Sequence, residues 1–427
     1  MRFWVLAGFL TGLLTGGASA AYSQELTLDQ AIALAKKNNG VLVATQKSVA
    51  IAQSNVREAA ALFFPFITPS YQYTDVEDKL TSHSPVTRDS VHELGVGATW
   101  QVLDGGQRWY GLNQSRKLFD STRYSSLWTM RQTLFAVTQS FYDALRAQEL
   151  LKSADAELVR TKQILEVVKA RAAVGDIAKK DILQAEADVA NAEVAQITAS
   201  NDVDSTQAAL KAVIGWPAQN PLPALAKSEP TGEPSVTTLD DALSAGQKRR
   251  PDLLSTLRAL EAERFGVLTA QREASLDWSL NVNFNKDFEP ENSYNRTLTF
   301  VVSFPLFDAG FSRERARQAQ LSLESNRALY QQDVRNARSE IEATFLIWKQ
   351  NKARLDAADR ALKAAQINYD AASESQRLGA ASIQEVTTAR TTLITAEVNY
   401  IQAVYDSYIS DVQYRLVIGD PLPGENS

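Results

Sequence analysis

Two periodic patterns of apolar and polar residues alternate along the chain. In the segments 276–284 and 298–306, apolar residues occupy every second position, with mainly polar residues between them. The segment 92–102 follows the same alternation, and a less regular segment precedes it. A period of two over about ten residues is typical of a β-strand with one apolar and one polar face. The sequence therefore predicts two β-hairpins, at about 63–103 and 275–307.

The second pattern is a heptad repeat in two long segments that contain no proline. Its positions are Met130, Val137, Ala144, Leu151, Leu158, Leu165 and Ala172, then Val334, Ile341, Trp348, Leu355, Leu362, Tyr369 and Gln376. A strict seven-residue repeat of this length predicts supercoiled helices, the first about 100 Å long at about 1.5 Å per residue. Gly175 and Gly379 interrupt the two segments, which predicts two helical hairpins. Their arms are 107–174 with 177–214, and 311–378 with 382–418.

Both patterns leave alternatives open. A heptad usually indicates a two-stranded coiled coil, but the alanine-rich faces of these helices equally suit side-by-side packing of several helices. Alternating strands are usually half-buried strands of a soluble sandwich. Here only two hairpins occur, and each leads into helices too long to cover a sandwich, which favours transmembrane strands.

The chain consists of two copies of one unit. The segment 28–35 resembles 239–246 at an offset of 211 residues, and beyond the hairpins the offset is a constant 204. We predict a first repeat at 21–216, a proline-rich linker at 217–238 and a second repeat at 239–427. Each repeat is predicted to begin with a helix that precedes its β-hairpin.

Each predicted hairpin ends in the same turn, "WQVLDGG" or "FPLFDAG". Asp104 and Asp308 are predicted to cap the following helices. Flexible backbone after each aspartate lets the strand turn sharply into the helix. The glycines concerned are Gly105, Gly106 and Gly310.

The N-terminus and the charge restrict the location and the partners. Residues 1–20 have the basic start, short apolar run and small-residue end of a secretory signal peptide. Cleavage removes Arg2 and changes the formal net charge from −6 to −7. This sign argues against a nucleic-acid partner. No later apolar run approaches the roughly 20 residues of a membrane helix, so strands would have to cross any membrane.

Candidate catalytic chemistry is absent from the sequence. The only histidines are His83 and His92, no cysteine occurs, and no metal-binding spacing or phosphate-binding loop is present. We therefore expect no enzyme activity, no cofactor and no metal site.

Four strands cannot close a barrel, and lipid does not tolerate open sheet edges. The chain is therefore expected to share a barrel with copies of itself. Two copies would give eight strands around a filled interior, whereas three would give twelve around an open bore. A conduit favours the trimer.

Several motifs together resemble the TolC-like outer membrane efflux proteins. They are the two strand-to-helix turns, "AVGDIAKKDIL" at 173–183, "RLGAASIQEV" at 377–386 and the opening "LTLDQAIALA". This resemblance implies a homotrimer with a 12-stranded barrel in outer-membrane lipid, continued by an α-helical barrel across the periplasm. It also implies partnership with a periplasmic adaptor and an inner-membrane transporter, for efflux or type I secretion. A soluble periplasmic coiled-coil adaptor is the alternative function.

The same resemblance implies the functional positions. Glu385 matches an acidic ring at the closed periplasmic end, and Thr388 stands where the family has a further acidic residue. Asp181 is the matching residue of the first repeat, although a solvated helix residue is the commoner meaning of such an aspartate. Glu385 also fits a capping box with Ser382. The adaptor-contacting tips are expected at Val174, Gly175, Leu378, Gly379 and Ser382.

Overall fold

The computed structural model describes residues 25–78, 87–175, 178–229, 234–289, 292–378 and 380–425. Within these ranges the chain runs twice through one order of elements: two helices, a β-hairpin and two long helices. The first set is α1 (Leu28–Asn38), α2 (Gly40–Ala61), β1 (Phe66–Asp78), β2 (Thr87–Asp104), α3 (Gln107–Ala173) and α4 (Lys179–Ile214). The second is α5 (Leu239–Arg249), α6 (Pro251–Gln271), β3 (Asp277–Glu289), β4 (Ser293–Ser303), α7 (Phe311–Arg377) and α8 (Ile383–Ile418). The predicted fold class of two such repeats is confirmed, while the predicted signal peptide and His83 lie outside the described residues.

The helix predicted before each hairpin is divided in two. Asn39 ends α1 and begins α2, because its side-chain Oδ1 accepts hydrogen bonds from the backbone N–H of Val41 (2.9 Å) and Leu42 (3.3 Å). In the second repeat the division falls before Pro251, the first residue of α6. Proline suits the first position of a helix because that N–H has no partner there.

The four strands form one antiparallel sheet in the order β1-β2-β3-β4. The two hairpins join through β2 and β3, where Val96 lies opposite Phe284. In turn, Phe284 lies opposite Arg296 of β4. Among the described residues, β1 and β4 each pair on one side only, so they are the open edges of the sheet.

The register gathers the apolar residues of the strands on one face and most polar residues on the other. Gly95 lies on the polar face between Ser70 and Asn285, its partners on the neighbouring strands. A Cβ at this position would stand 2.6 Å from Ser70 Oγ and 3.0 Å from Asn285 Oδ1. The polar face is therefore crowded here, and the absence of a side chain at Gly95 makes room for the polar groups beside it.

The long helices α3 and α7 contain 67 residues each, a length of about 100 Å at about 1.5 Å per residue. All predicted heptad positions are buried or half-buried. Helix α3 packs against α2, α4, α6 and α8, so the arrangement is the side-by-side one rather than a two-stranded coil. Across the described part of the chain, no helix carries an apolar stretch sufficient to cross a membrane.

The largest core lies at mid-length of the long helices. It contains Leu134, Phe141 and Tyr142 of α3, which are fully buried against Ile32 of α1 and Ile214 of α4. A smaller core in the second repeat packs α5, α7 and α8 together. Both cores lie far from the sheet and from the hairpin tips. They include the last residues of α4 and α8, Ile214 and Ile418, so they fix the base of each helical hairpin.

The C-terminal segment 419–425 packs on the first repeat. The Arg131 guanidinium donates to both carboxylate oxygens of Glu425 at 2.9–3.1 Å and to the carbonyl oxygen of Gly419 at 2.9 Å. Both side chains of this ion pair are about one-tenth exposed. The end of the second repeat is therefore attached to helix α3 of the first.

Candidate functional site at the turns and helix tips

The two strand-to-helix turns use the same hydrogen bonds. Asp104 accepts from the backbone N–H of Gly106 (3.1 Å) and of Arg108 (2.8 Å). Asp308 accepts from the N–H of Gly310 (2.9 Å) and of Ser312 (3.0 Å). Hydrogen bonds from Ser312, and then from Gly310, hold the pKa of the Asp308 carboxyl below its usual value. Each aspartate thus satisfies two N–H groups that the start of a helix leaves free.

The turns differ at their second residue. Gly105 has a φ of 62°, and a Cβ there would come within 1.8 Å of Ser275 Oγ. Ala309, its counterpart, also adopts a left-handed conformation with a φ of 55°. The first turn requires glycine for space as well as for conformation. The second carries the strain of an L-residue in the left-handed region.

The tip of the first helical hairpin exposes an apolar side chain. Val174 is 81% exposed. Gly175 adopts a φ of 79°, and its N–H donates to the carbonyl oxygen of Ala172 at 3.1 Å. Asp181 lies half-exposed in the first turn of α4. Val174 thus provides an apolar surface at the turn.

The tip of the second hairpin has the same character and a better-capped helix. Leu378 is 69% exposed at the end of α7, and Gly379 lies outside the described residues. Ser382 and Glu385 form a capping box at the start of α8: Ser382 Oγ accepts from Glu385 N–H (3.2 Å), and Ser382 N–H donates to Glu385 Oε2 (3.0 Å). Glu385 therefore has a structural role in this chain, whatever its part in a gate.

The two tips lie beside one another. Ile182 of α4 and Ile383 of α8 join one apolar cluster with Leu165 and Val168 of α3. Asp181 and Glu385 therefore begin neighbouring helices. On the other side of α8, Glu385 and Thr388 line a groove against α7 with small side chains such as Ala371 and Ala372. Thr388 donates its hydroxyl to the Gln384 carbonyl oxygen (2.9 Å).

A buried arginine near the tips was not predicted. The Arg390 side chain, 8% exposed, donates to Thr161 Oγ1 of α3 (3.0 Å) and to Asp188 Oδ2 of α4 (3.1 Å). A carboxylate oxygen of Glu157 on α3 lies 3.4 Å from the guanidinium. Burial raises the pKa of Glu157 above its usual value, although Arg390 acts in the opposite direction. This cluster joins α8 of the second repeat to α3 and α4 of the first.

Two further ionic contacts follow the same α3–α8 seam. Glu397 accepts from Arg160 at 3.1 and 3.2 Å. Farther from the tips, Asp406 accepts from Arg146 of α3 (3.0 Å) and from Arg354 of α7 (3.2 Å). Charged groups therefore join the two repeats along this seam below the main core, in addition to the apolar cluster around Ile383 at the tips.

The sequence does contain a signal for the seam. Arg390 and Glu397 are seven residues apart and follow the buried stripe of α8 that includes Val386 and Leu393. Charged residues on an apolar helical stripe are almost never fully buried unless they are paired. The partners on α3 and α4 lie about 200 residues away along the chain, and no local pattern identifies them.

Comparison with known proteins finds one sequence family whose model matches most of the chain. A sequence model of the family described as "Outer membrane efflux protein" matches residues 31–216 and 240–420. Outer membrane efflux protein BepC of Brucella suis biovar 1 is 22% identical over 416 residues, which cover 95% of this chain and 87% of BepC. Outer membrane protein TolC of Vibrio cholerae serotype O1 is 22% identical over 432 residues, covering 96% of this chain and 94% of that protein.

A solved structure has the same fold. The structure of CusC, studied for the conformational changes that accompany folding and transmembrane channel formation, superposes with a TM-score of 0.80. The superposition covers 92% of each chain at 17% sequence identity. Such a low identity shows a shared fold, so the positions of the turns and tips in this chain rest on its own residues.

Proposed function

The chain belongs to the outer membrane efflux protein family, and from this premise we propose that three copies form one passive exit duct. Members of this family are outer-membrane efflux channels of tripartite systems, which include a periplasmic adaptor and an inner-membrane pump. They are duct proteins rather than enzymes. The driving energy of export therefore comes from the inner-membrane partner, and this chain provides the path.

The observation that carries the proposal is the open four-stranded sheet at the end of helices about 100 Å long. In lipid, each unpaired N–H or C=O group of β1 and β4 costs on the order of several kcal/mol unless another strand pairs with it. Pairing β4 of one copy with β1 of the next supplies that strand. Three copies close a 12-stranded barrel with a bore, whereas two would close an eight-stranded barrel filled by side chains.

The two faces of the sheet suit this barrel. Leu280, Val282 and Phe300 belong to the apolar face, which would contact lipid, and Asn283 and Asn285 belong to the polar face, which would line the bore. The alternative, a soluble adaptor with these strands in a sandwich, needs a second layer over the apolar face. Among the described residues no such layer exists. Side chains of that face remain exposed: Phe284 is 36% exposed, Phe300 56% and Leu298 71%.

The helical part would extend the duct towards the inner membrane. Val174 and Leu378 expose apolar surface at the two tips, and a docking adaptor can bury such surface. The contacts we propose for that adaptor are Val174, Gly175, Leu378, Gly379 and Ser382. Replacing both Val174 and Leu378 by Asp should abolish export while the protein still reaches the outer membrane in normal amount. Export at the wild-type rate would contradict this assignment.

The gate is proposed at the same end. Three copies of Glu385, with three of Asp181, would converge on one axis, where like charges attract cations and disfavour anions. A cation-selective pore, blocked by divalent cations from the periplasmic side, is the expected behaviour. Thr388 is part of this region without a charge, and Thr388→Asp should strengthen the cation block.

Glu385→Gln separates the gate role from the capping role. Gln also fills the last position of a capping box, so helix α8 should keep its start. Cation selectivity and divalent block should fall in single-channel recordings, while assembly stays intact. Unchanged selectivity and block would leave Glu385 as a helix cap only.

Fractionation tests the function against the alternative. A duct is recovered with the outer membrane and requires detergent for release. Native mass measurement of the released protein should then give three chains. Recovery from the soluble periplasm without detergent would support the adaptor alternative, and a mass of one or two chains would contradict the barrel.

A further inference from the structure

The apolar face of the β3–β4 hairpin carries two cations near the end farthest from the helices. Arg296 lies opposite Phe284, and Lys286 lies opposite Tyr294. Both cations therefore share the face of Leu280, Val282 and the other apolar residues. They are one step apart diagonally, within reach of one small anionic group.

Aromatic rings surround these two cations. Lys286 Nζ lies 5.2 Å from the centre of the Phe288 ring. Arg296 Cζ lies 5.8 Å from the Phe284 ring and 5.7 Å from the Tyr294 ring. In the described part of the chain neither cation forms an ion pair with a carboxylate. Asp287, next to Lys286, belongs to the other face and accepts from Ser293 Oγ at 2.8 Å. The positive charge on this face is therefore not neutralised by a described carboxylate.

The height of the two cations agrees with the outer rim of a membrane span. Lys286 is eight residues beyond Trp278, which lies near the helical end of β3. This separation is about 26 Å along the strand, and about 20 Å along a barrel axis when the strand is tilted by about 40°. The apolar band of such barrels is about 25 Å tall. Lys286 thus approaches the level where acyl chains give way to headgroups, a depth at which cations are tolerated. Arg296 lies opposite Phe284, two residues nearer the helices, and a long side chain at that depth can extend to the same level.

We propose that Lys286 and Arg296 bind the phosphate of a phosphorylated glycolipid of the lipid A class in the outer leaflet. This inference rests on the proposed membrane-spanning duct. Arginine matches phosphate with two parallel N–H donors and lysine adds a point charge, so the pair suits this group. Val282 and Leu298 lie just below on the same face and would contact the acyl chains. A lipid fits both features, because the charged and apolar groups form one continuous outward surface.

The first hairpin differs at its corresponding end. There the apolar face carries Tyr71, Tyr73 and His92, with Tyr71 Oη and His92 Nδ1 at 2.7 Å. Among the described residues of that face, the one lysine or arginine is Arg88, which lies opposite a carboxylate residue, Glu77. We therefore expect one phosphate site per chain, and three sites around a trimer.

The test measures lipid binding to the purified full-length protein in detergent by native mass spectrometry. The probes are diphosphorylated lipid A, the same lipid with both phosphates removed, and inorganic phosphate. Wild-type protein should retain diphosphorylated lipid A, up to three per trimer. The variant Lys286→Gln/Arg296→Gln should bind it about tenfold more weakly or worse. The charge-conserving swap Lys286→Arg/Arg296→Lys should keep most of the binding.

Three outcomes would overturn the proposal: equal binding by the Gln double variant, equal binding of the dephosphorylated lipid, or displacement of lipid A by inorganic phosphate at equal concentration. Arg335→Gln, on the exposed face of α7, is the control for a lost positive charge. If the double variant fails to assemble, Arg296→Gln alone replaces it with the same criteria. Wild-type protein absent from the membrane fraction contradicts the duct itself. Wild-type protein present there, with no effect of the variants, contradicts only the lipid site.

Discussion

Replacing Arg390 by Gln tests whether the ionic seam holds the two repeats together near the tips. The guanidinium is the cation shared by Asp188 and Glu157, whose side chains are 18% and 12% exposed. Gln cannot supply that charge, so both carboxylates would remain in a poorly solvated site, and Arg160, 3.4 Å from Glu157, would be the cation left beside Glu157. Helix α8 of the second repeat would then lose its ionic contact with Asp188 of α4 and with Glu157 of α3, while the Glu397–Arg160 contact with α3 would remain.

The magnitude follows from the burial of these groups. Breaking a buried ion pair by removing one partner costs about 3–5 kcal/mol. We expect the low end, about 3 kcal/mol, because Glu157 already has a raised pKa and can relieve the repulsion by taking up a proton. This energy corresponds to a change of roughly a hundredfold in an opening equilibrium.

The assay is hydrogen exchange on the purified oligomer, followed by mass spectrometry of peptides. Peptides covering 155–165 and 386–398 should lose roughly a hundredfold in protection. Peptides around the buried core residue Tyr142 should be unaffected, because that core contains none of the residues that contact Arg390. Single-channel recordings should show a higher conductance for the same variant, since a loosened α3–α8 seam lets the tips separate.

Two variants serve as controls. Arg377→Gln removes an arginine from an exposed pair with Glu374 close to the same tip, and we expect wild-type behaviour from it. The triple variant Arg390→Met/Glu157→Met/Asp188→Leu replaces the charged groups by apolar ones and should restore protection from hydrogen exchange. Arg390→Gln with the same exchange pattern as Arg377→Gln would refute the reasoning.

Three further predictions concern stability, each measured by thermal melting of the purified protein followed by circular dichroism. Ala309→Gly should stabilise the second turn by up to about 1 kcal/mol, since it removes an L-residue from the left-handed region; a lower midpoint would contradict that strain. Glu157→Gln should stabilise the protein at pH 7, because a raised carboxyl pKa means that stability is lost as the pH rises through the folded-state pKa. The difference should vanish below the usual value of 4.5, where both side chains are neutral, and a difference that persists there would contradict it. Glu425→Gln should destabilise by about 3 kcal/mol through the loss of the buried pair with Arg131, and no change would show that the C-terminal segment is not an anchor.

The strands and long helices could be predicted because their signals are local. The alternation of Leu280, Val282 and Phe284 belongs to one strand, and the register of the structure puts these residues on one face. Heptad positions such as Val137 and Ile341 are buried, as a strict heptad repeat requires. The repeat itself was visible as a constant offset of 204 residues.

The turn shows where local reasoning stops. Its aspartate and glycine indicated a helix start, and both aspartates do accept hydrogen bonds there. The left-handed conformation of Ala309 could not be predicted, since alanine rarely adopts it. The need for glycine at position 105 arises from Ser275, which is distant in sequence and adjacent in space.

The ionic seam could not be predicted because it is a tertiary property. Arg390 and Glu397 stand on a stripe that periodicity identifies as buried, but their partners belong to the other repeat. Likewise, the sequence left the packing of the helices open, and the contacts of α3 with α2, α4, α6 and α8 decide it. Both features require knowing which helices are neighbours.

The most direct test of the duct is the ionic current through purified protein in a planar lipid bilayer. A passive duct predicts discrete, long-lived conductance steps that appear with the detergent-released oligomer and require no nucleotide or other energy source. A bilayer that stays electrically silent, although the same preparation contains folded protein extracted from the outer membrane, would contradict the account.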